Sequence, residues 1–200
     1  MKRTLYLIAL LLAVFTAVAY VIGKGWEKEA EIQKVEMTKG QMIKMWFKQA
    51  KQGKPEAQYA LGLYYEKERT DYLNAQKWYR VAATKGQHGG AQYKLAQLYL
   101  NGRGVENNLP NAMKWFRLSA EKGDARGQYF MGVAKRDGWE EKPDFIEAYK
   151  WFLLANKNPS LVSGEEERFD TAKALAEMDR KMSKFDREEA QKRADKWHPK

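Results

Sequence analysis

The middle of the chain contains three copies of one sequence pattern, and this internal repeat constrains the fold more than any other feature. Within the pattern, successive tyrosines lie 34 and 36 residues apart, and successive tryptophans lie 37 and 36 residues apart. The residues concerned are Tyr59, Tyr93 and Tyr129, followed in each copy by Trp78, Trp115 and Trp151. A period of this length, with small residues at fixed places and no β-branched runs, predicts stacked pairs of antiparallel helices. The sequence therefore predicts an all-α solenoid.

Each copy divides into two helices, and each helix has an apolar face of its own. In the first helix a leucine and a tyrosine lie four residues apart with a small residue between them, as in Leu61, Gly62 and Tyr65. Residues four apart share a helix face, and the small residue allows a neighbouring helix to approach closely. In the second helix Trp78 and Ala82 lie on one apolar stripe.

These positions form the predicted core of the repeats. The full set is Tyr59, Leu61, Gly62, Trp78, Ala82, Tyr93, Leu95, Tyr99, Trp115, Ala120, Tyr129, Gly132, Trp151 and Ala155. We expect the tryptophans to fill the junction between the two helices of each pair. On this interpretation Trp115→Ala in the middle copy lowers stability by about 3–5 kcal/mol.

The three copies resemble the Sel-one-like repeats, a family related to the tetratricopeptide repeats. The family pattern is roughly A-x-Y-x-L-G-x-x-Y-x-x-G-x-G-V, followed by K-A-x-x-W-Y-x-x-A-A-x-x-G. The second copy carries the glycine turn almost in full at residues 99–105, whereas the first copy has charged residues 66–69 there. The third copy departs most, with Lys135 at the tyrosine position and Pro159 at the closing glycine. The resemblance covers residues 57 to about 160 and implies a right-handed solenoid that binds protein partners and seldom catalyses.

The segments on both sides of the repeats are predicted to cap the solenoid. Upstream, residues 41–56 align with the second helix of a repeat, and Thr38 and Gln41 are placed to form a capping box at its start. Downstream, a charged helix is expected over residues 164–182 and a second helix over residues 183–197. Terminal repeats of a solenoid need a polar outer face, and these charged segments supply one.

The predicted organisation follows from these boundaries. It comprises a signal peptide or transmembrane helix at 1–23, a charged juxtamembrane segment at 24–40, an N-terminal capping helix at 41–56, repeats at 57–90, 91–126 and 127–163, and C-terminal capping helices at 164–200.

The N-terminal segment predicts export. Lys2 and Arg3 precede residues 5–22, a stretch of 18 residues without a charged side chain. Its length is sufficient for a membrane-spanning hydrophobic helix of about 17–25 residues, and small residues before and at Ala19 also fit cleavage after that position. The basic residues favour an N-terminus in the cytoplasm under either interpretation. The repeats are then expected to face the periplasm, either on a single-pass inner-membrane anchor or released after cleavage.

Charge and cysteine content limit the partners and the means of attachment. The chain has 36 lysines and arginines, 26 acidic residues and no cysteine. Without cysteine there is no disulfide and no lipidation site, so the packed core alone must hold the fold. The positive excess favours an acidic protein partner or anionic headgroups, unless the lysines only solvate the outer helix faces. Nucleic acid is not expected for an exported protein.

No group of residues predicts catalysis or metal binding. The two histidines are His88, in a glycine-rich turn, and His198, near the C-terminus, and no cysteine accompanies either of them. Residues 102–104, Gly-Arg-Gly, are similar to a phosphate loop but join two helices instead of a strand and a helix. We therefore expect no enzymatic activity, no cofactor, no metal and no small-molecule substrate.

The first helices of such repeats usually line a concave wall, and this wall is the expected partner surface. The partner-binding positions predicted there are Leu63, Tyr64, Lys94, Gln97, Phe130 and Val133. If Lys94 lies in the groove, Lys94→Glu weakens binding of an acidic partner and leaves stability nearly unchanged. The alternative is that these residues are ordinary helix surface. The glutamines Gln58, Gln92 and Gln128 recur in every copy and predict a structural hydrogen bond to a neighbouring turn.

Three functions agree with these features. The first is a membrane-tethered or periplasmic scaffold that docks another protein. The second, implied by the family resemblance, is an immunity protein that neutralises a secreted toxic effector such as a lipase, binding it at nanomolar strength over roughly 1,600 Å² or more. The third is a module that binds anionic lipid and releases it at high salt.

Overall fold

The computed structural model describes residues 37–164 and 169–200. Contacts divide the chain into two units, residues 1–42 and 43–200. Of the first unit only residues 37–42 are described, and they contain the predicted capping box. The Thr38 N–H donates to Gln41 Oε1 at 2.8 Å, and the Gln41 N–H donates to Thr38 Oγ1 at 3.3 Å.

The described residues form helices and no strands. In chain order the helices are α1 (Lys39–Lys51), α2 (Pro55–Lys67), α3 (Tyr72–Thr84), α4 (Gly89–Asn101), α5 (Leu109–Glu121), α6 (Ala125–Asp137), α7 (Phe145–Ala155), α8 (Pro159–Ser163), α9 (Thr171–Asp179) and α10 (Lys184–Asp195).

The helices of the second unit pack in successive pairs. Helix α2 contacts α3, α4 contacts α5, and α6 contacts α7, while α3–α4 and α5–α6 contacts join one pair to the next. Helices α9 and α10 cover α7 at the C-terminal end. This arrangement confirms the predicted row of helix pairs.

The predicted hydrophobic helix falls within residues 1–36, which lie outside the described residues. Among the helices that are described, none combines the length and apolar character needed to cross a membrane.

Close contact between a glycine and an aromatic ring joins the two helices of a pair. A Cβ atom on Gly62 would lie 2.3 Å from ring atoms of Tyr79, and one on Gly132 would lie 2.6 Å from the ring of Phe152. Real atoms cannot approach so closely, so only glycine fits at these two places. The small residue expected in the first helix therefore accommodates a ring of the second helix in the first and third repeats.

The ring in question follows the repeat tryptophan and is not the tryptophan itself. Trp115 is half-buried, whereas the neighbouring Phe116 is fully enclosed. Trp78 and Tyr79 show the same difference. In the third repeat Trp151 is 6% exposed, and the ring of Trp197 lies 6.1 Å from it. The structure thus places Phe116, and not Trp115, at the junction of the middle pair.

The other predicted core positions are mostly enclosed. Those with no exposed surface are Leu61, Ala82, Tyr93, Leu95, Ala120 and Ala155. Tyr129 is 7% exposed, while Tyr59 and Tyr99 are half-buried against the core.

Two of the recurring glutamines tie each pair to the one before it. The Gln58 side-chain amide donates to the carbonyl of Ala50 at the end of α1, over 3.1 Å. The Gln92 amide donates to the carbonyl of Ala83 at the end of α3, over 3.2 Å. Both glutamines are buried, so the predicted structural hydrogen bond is confirmed at these positions. The bonds supply partners to carbonyl groups that a helix end leaves open.

The C-terminal caps differ from the prediction in their boundaries. Helix α9 begins at Thr171, because Asp170 caps it by accepting from the Lys173 N–H at 3.0 Å. The expected helix over residues 164–182 is therefore shorter, and Pro159 begins the short helix α8. A proline is tolerated there because the first N–H groups of a helix have no intrahelical partner.

Substitutions at adjacent positions of α5 test where the core lies. We expect Phe116→Ala to lower the free energy of unfolding by about 3–5 kcal/mol, because the ring is fully enclosed. Trp115→Ala should cost about 1–2 kcal/mol, because part of its ring already contacts solvent. Urea unfolding of the two variants measures this difference. A loss for Trp115→Ala equal to or larger than that for Phe116→Ala would contradict the assignment.

Candidate partner-binding cleft

A cleft of ≈ 340 Å³ lies between the first helices of the second and third repeats. Its walls come from the C-terminal end of α4, from one face of α6, from the turn after α6 and from the start of the C-terminal cap. The lining residues are Gln97, Leu100, Asn101, Tyr129, Phe130, Val133, Arg136, Trp139 and Phe169. Four of its nine lining residues are aromatic.

Stacked rings form the floor of the cleft. The ring of Phe130 lies parallel to that of Phe116 at 4.7 Å, with an interplanar angle of 3°. On its other side Phe130 meets Phe169 edge-on at 5.2 Å and Trp139 at 6.5 Å. Such aromatic contacts add to the stability gained by burial. The floor is therefore continuous with the core of the middle repeat, so its shape is set before any partner arrives.

The polar groups at the rim already have partners. Arg136 Nε donates to Asp137 Oδ1 at 2.6 Å, and Arg136 Nη1 lies 3.8 Å from a carboxylate oxygen of Glu177. The hydrogen bond that Arg136 donates to Asp137 raises the pKa of Arg136. The Gln97 amide donates to the Tyr93 hydroxyl at 2.6 Å. The cleft consequently offers an apolar floor and an electrically balanced edge.

Burial also raises the pKa of the Tyr129 hydroxyl in the cleft wall. A tyrosine with a raised pKa stays protonated at neutral pH, so Tyr129 remains able to donate a hydrogen bond there.

The structure brings together three of the six predicted partner-binding residues. Gln97, Phe130 and Val133 line the cleft. Leu63 and Tyr64 are half-buried on α2 and lie outside its lining. Sequence reasoning did not select Trp139 or Phe169, which belong to the turn after α6 and to the chain before α9. The only signal for them was the aromatic residue at each position.

Lys94 does not face the groove as expected. Its side chain is 4% exposed, and its ammonium lies 3.8 Å from Glu66 Oε1 on the neighbouring repeat. The same carboxylate group accepts a hydrogen bond from the Tyr79 hydroxyl at 2.5 Å. Lys94 therefore belongs to the contact between the first two repeats. Because Lys94 is buried in this way, we expect Lys94→Glu to lower stability, in place of the sequence-based expectation of little change.

A second buried cation, which the sequence did not indicate, links all three repeats. Arg126 at the start of α6 is 7% exposed and forms two hydrogen bonds with Asp124, of 2.7 and 3.0 Å. It also donates to the Tyr59 hydroxyl of α2 at 3.1 Å and lies 4.8 Å from the ring centroid of Tyr93 on α4. Gly90 makes this reach possible, because a Cβ atom there would lie 2.6 Å from the guanidinium.

The charge of Arg126 is held by its partners. Burial by itself lowers the pKa of Arg126, but the hydrogen bonds and the charge of Asp124 outweigh this effect, and the net pKa is raised. Asp124 also caps α6 by accepting from the backbone N–H of Arg126 at 3.0 Å. The Asp124 carboxylate therefore has two roles. It caps α6, which forms one wall of the cleft, and it neutralises Arg126, which holds α6 to the other repeats.

His88 caps the N-terminus of α4, the helix that contributes the opposite wall of the cleft. Its Nδ1 accepts a hydrogen bond from the Ala91 N–H at 3.1 Å at the start of α4, and its ring stacks on Tyr59 at 4.6 Å. Burial lowers the pKa of His88, more than the nearby charges of Glu56 and Asp124 raise it, and the charge of Arg126 lowers it further. Neutral imidazole is required here, because a protonated Nδ1 cannot accept the hydrogen bond.

A family model described as Sel1 repeat matches residues 55–87, 90–124 and 125–159, which together make up just over half of the chain. No curated protein matches the sequence significantly.

Among described residues no three His, Asp or Glu side chains are grouped so that they could hold a metal ion.

Two solved structures place the fold among proteins of the same kind. One is a protective antigen of uropathogenic Escherichia coli strains that displays an SLR fold, with 26% identity and a TM-score of 0.66, aligned over 80% of this chain and 33% of that protein. The other is a Sel1 repeat protein from Oxalobacter formigenes, with 28% identity and a TM-score of 0.52, aligned over 75% of this chain and 63% of that protein. The chain spans less than two thirds of the length of either relative.

The buried ion pair at Lys94 predicts a loss of stability on charge reversal. Lys94→Glu would place a second carboxylate beside Glu66 in a site that is closed to solvent, and we expect it to lower the free energy of unfolding by about 3 kcal/mol or more. Lys94→Met, which keeps the volume and removes the charge, should cost less. Urea unfolding of the two variants tests this, and a cost below about 1 kcal/mol for Lys94→Glu would contradict it.

The cap of α4 predicts that stability depends on pH. The pKa of folded His88 lies below the ordinary value of 6.5, so the unfolded chain binds the proton more readily. Stability is therefore complete above about pH 6.5 and decreases as the pH falls towards the folded pKa. Thermal unfolding between about pH 7.5 and 5 should show this decrease. In His88→Asn, which keeps a capping side chain without a titrating group, the decrease should be smaller, whereas His198→Asn should retain it. Equal pH dependence in wild type and His88→Asn would refute the assignment.

The repeat pattern, the paired helices, the match of the family model and the related solved structures agree, and the chain belongs to the Sel1 repeat family.

Proposed function

We propose that this protein is a scaffold that binds another protein through the cleft between α4 and α6. Sel1 repeat proteins generally mediate protein–protein interaction, and the family is typically non-catalytic. The observation that carries the proposal is the cleft of ≈ 340 Å³ with a floor of stacked aromatic rings. A cleft near the lower limit of ligand-pocket sizes takes a few side chains of a partner and not a whole helix.

The chemistry of the cleft defines how a partner binds. The half-buried Trp139 and Phe169, together with the largely buried Phe130, contact one apolar side chain of the partner, whose burial supplies most of the affinity. The amide oxygen of Gln97, whose amide nitrogen donates to Tyr93, and the side-chain amide of Asn101 then pair with the partner's backbone. Because Arg136 is already balanced by Asp137 and Glu177, the cleft does not select for an acidic partner, and the buried Lys94 does not either.

We further propose that the repeats act in the periplasm. The support is the N-terminal sequence, in which Lys2 and Arg3 precede the uncharged residues 5–22. Both modes of attachment stay open: an inner-membrane helix that is retained, or release after cleavage following Ala19. The mass of the protein recovered from cells distinguishes them, because cleavage removes the first 19 residues.

Substitution of a cleft valine tests the proposed site. With a photo-reactive amino acid at Val133 in the full chain, cells should yield one discrete crosslinked protein, and the same residue at Val81 should not. Val81 is a suitable control, because it is also half-buried but lies on α3, away from the cleft lining. For the purified pair, Val133→Glu should weaken binding at least about tenfold, which is about 1.4 kcal/mol, and Val81→Glu should change it less than about twofold.

Two results of this experiment decide the proposal. Binding that is unaffected by Val133→Glu would exclude the cleft as the site. The affinity of the wild-type pair then separates the two kinds of binding protein. A single effector held at about nanomolar strength and losing its toxicity would identify an inhibitor in place of a scaffold.

A further inference from the structure

Helix α1 and the turn after it contain positive charge without any negative charge. Between residues 37 and 55 the chain has the lysines Lys39, Lys44, Lys48, Lys51 and Lys54, and it has no aspartate, glutamate or arginine. A segment of this length with an average composition would contain both signs of charge. The chain as a whole has 36 basic and 26 acidic residues, so its overall composition does not account for a segment with five lysines and no acidic residue.

Three of these lysines share one face of the helix. At 100° per residue, Lys44, Lys48 and Lys51 fall within an arc of about 60°. All three are exposed, and so is Lys54 just beyond the helix end. We refer to these four residues as the lysine face.

The apolar residues of α1 hold the helix in place. Ala50 is buried with Ala57 and Leu61 of α2, and the ring of Phe47 meets that of Trp78 at 6.0 Å. The amphipathic pattern of α1 therefore fixes its apolar side against the repeats and leaves the lysine face directed away from them.

The lysine face is electrostatically unsatisfied. Within the described part of the chain, none of Lys44, Lys48, Lys51 and Lys54 forms an ion pair. Some basic residues elsewhere on the surface do pair, as Arg117 does with Glu140 at 2.8 Å, and what distinguishes the lysine face is that its four unpaired lysines lie close together. Unpaired like charges on one side of a helix repel each other, and a negatively charged surface relieves that repulsion.

We propose that the lysine face binds the anionic headgroups of a lipid bilayer. Lysine is a compact point charge on a flexible stem, which responds to charge density, whereas recognition of a shaped carboxylate site favours arginine. The face lies on a convex helix surface, so it matches a flat, diffusely charged partner.

This inference concerns a surface apart from the cleft and does not depend on the proposed function. Attraction between a basic face and anionic lipid decreases within a Debye length and weakens as salt rises. Binding should therefore depend on both lipid charge and ionic strength, whether the N-terminal segment is retained or removed.

Amine labelling of the full chain measures this contact directly. The chain is bound to nanodiscs of phosphatidylcholine alone or of phosphatidylcholine with about 30% phosphatidylglycerol, and each lysine is followed by mass spectrometry. We expect Lys44, Lys48, Lys51 and Lys54 to react at least about fivefold more slowly in the charged discs, with the difference lost at about 1 M salt. The exposed lysines Lys142, Lys157 and Lys192 serve as internal controls and should change less than about twofold.

Matched variants complete the test. Lys44→Gln/Lys48→Gln/Lys51→Gln should remove most of the excess co-sedimentation of the full chain with charged over neutral vesicles. Lys142→Gln/Lys157→Gln/Lys192→Gln, which removes the same charge elsewhere, should retain that excess. Equal labelling of the lysine face in both kinds of disc would overturn the proposal. Protection by soluble polyglutamate but not by charged discs would also overturn it, because the occupant would then be an acidic protein.

Discussion

The structure depends first on how closely the two helices of a pair approach, and in the first and third repeats a contact between a first-helix glycine and a second-helix ring sets this distance. Gly62 and Gly132 each lack the one atom that would exclude the ring of Tyr79 or Phe152. Because the rings enter this space, the two helices of a pair lie close enough to exclude water along their length. The half-buried tryptophans then cover the edges of a core that is already closed. Without this contact the two helices of a pair would have no fixed separation, and the repeats that supply the walls of the cleft would lose their defined shape.

The cleft itself results from contacts between repeats. Arg126 reaches past Gly90 to Tyr59, so its guanidinium connects the first repeat to the third across the second. The aromatic floor continues from Phe116 in the middle pair to Phe169 before the C-terminal cap. These two sets of contacts hold the walls on both sides. The side chains of the cleft are therefore ordered during folding, and binding of a partner loses less conformational entropy.

The two proposed surfaces use different physical principles. The cleft binds by burying apolar area, and its charges cancel at the rim through Asp137 and Glu177. The lysine face of α1 binds by charge alone and buries little. Since apolar burial is insensitive to salt while the attraction of exposed charges is screened, the two contacts can be varied independently. A protein of the Sel1 repeat family with this division could hold a partner with its repeats while one end rests on a membrane surface.

The sequence by itself determined the repeat, the helix pairs, the small residues at their contact and the structural role of Gln58 and Gln92. These features recur at a fixed spacing. Because a helix has 3.6 residues per turn, such a spacing shows which residues share a helix face. It also selected Phe130 and Val133 of the cleft, since both lie on a first helix. Only the tertiary structure decided that Lys94 is enclosed, that Phe116 is deeper than Trp115, and that Phe169 reaches the cleft. Periodicity assigns a residue to a side of its own helix, but it does not contain the positions of the neighbouring helices, and those positions determine which sides are closed.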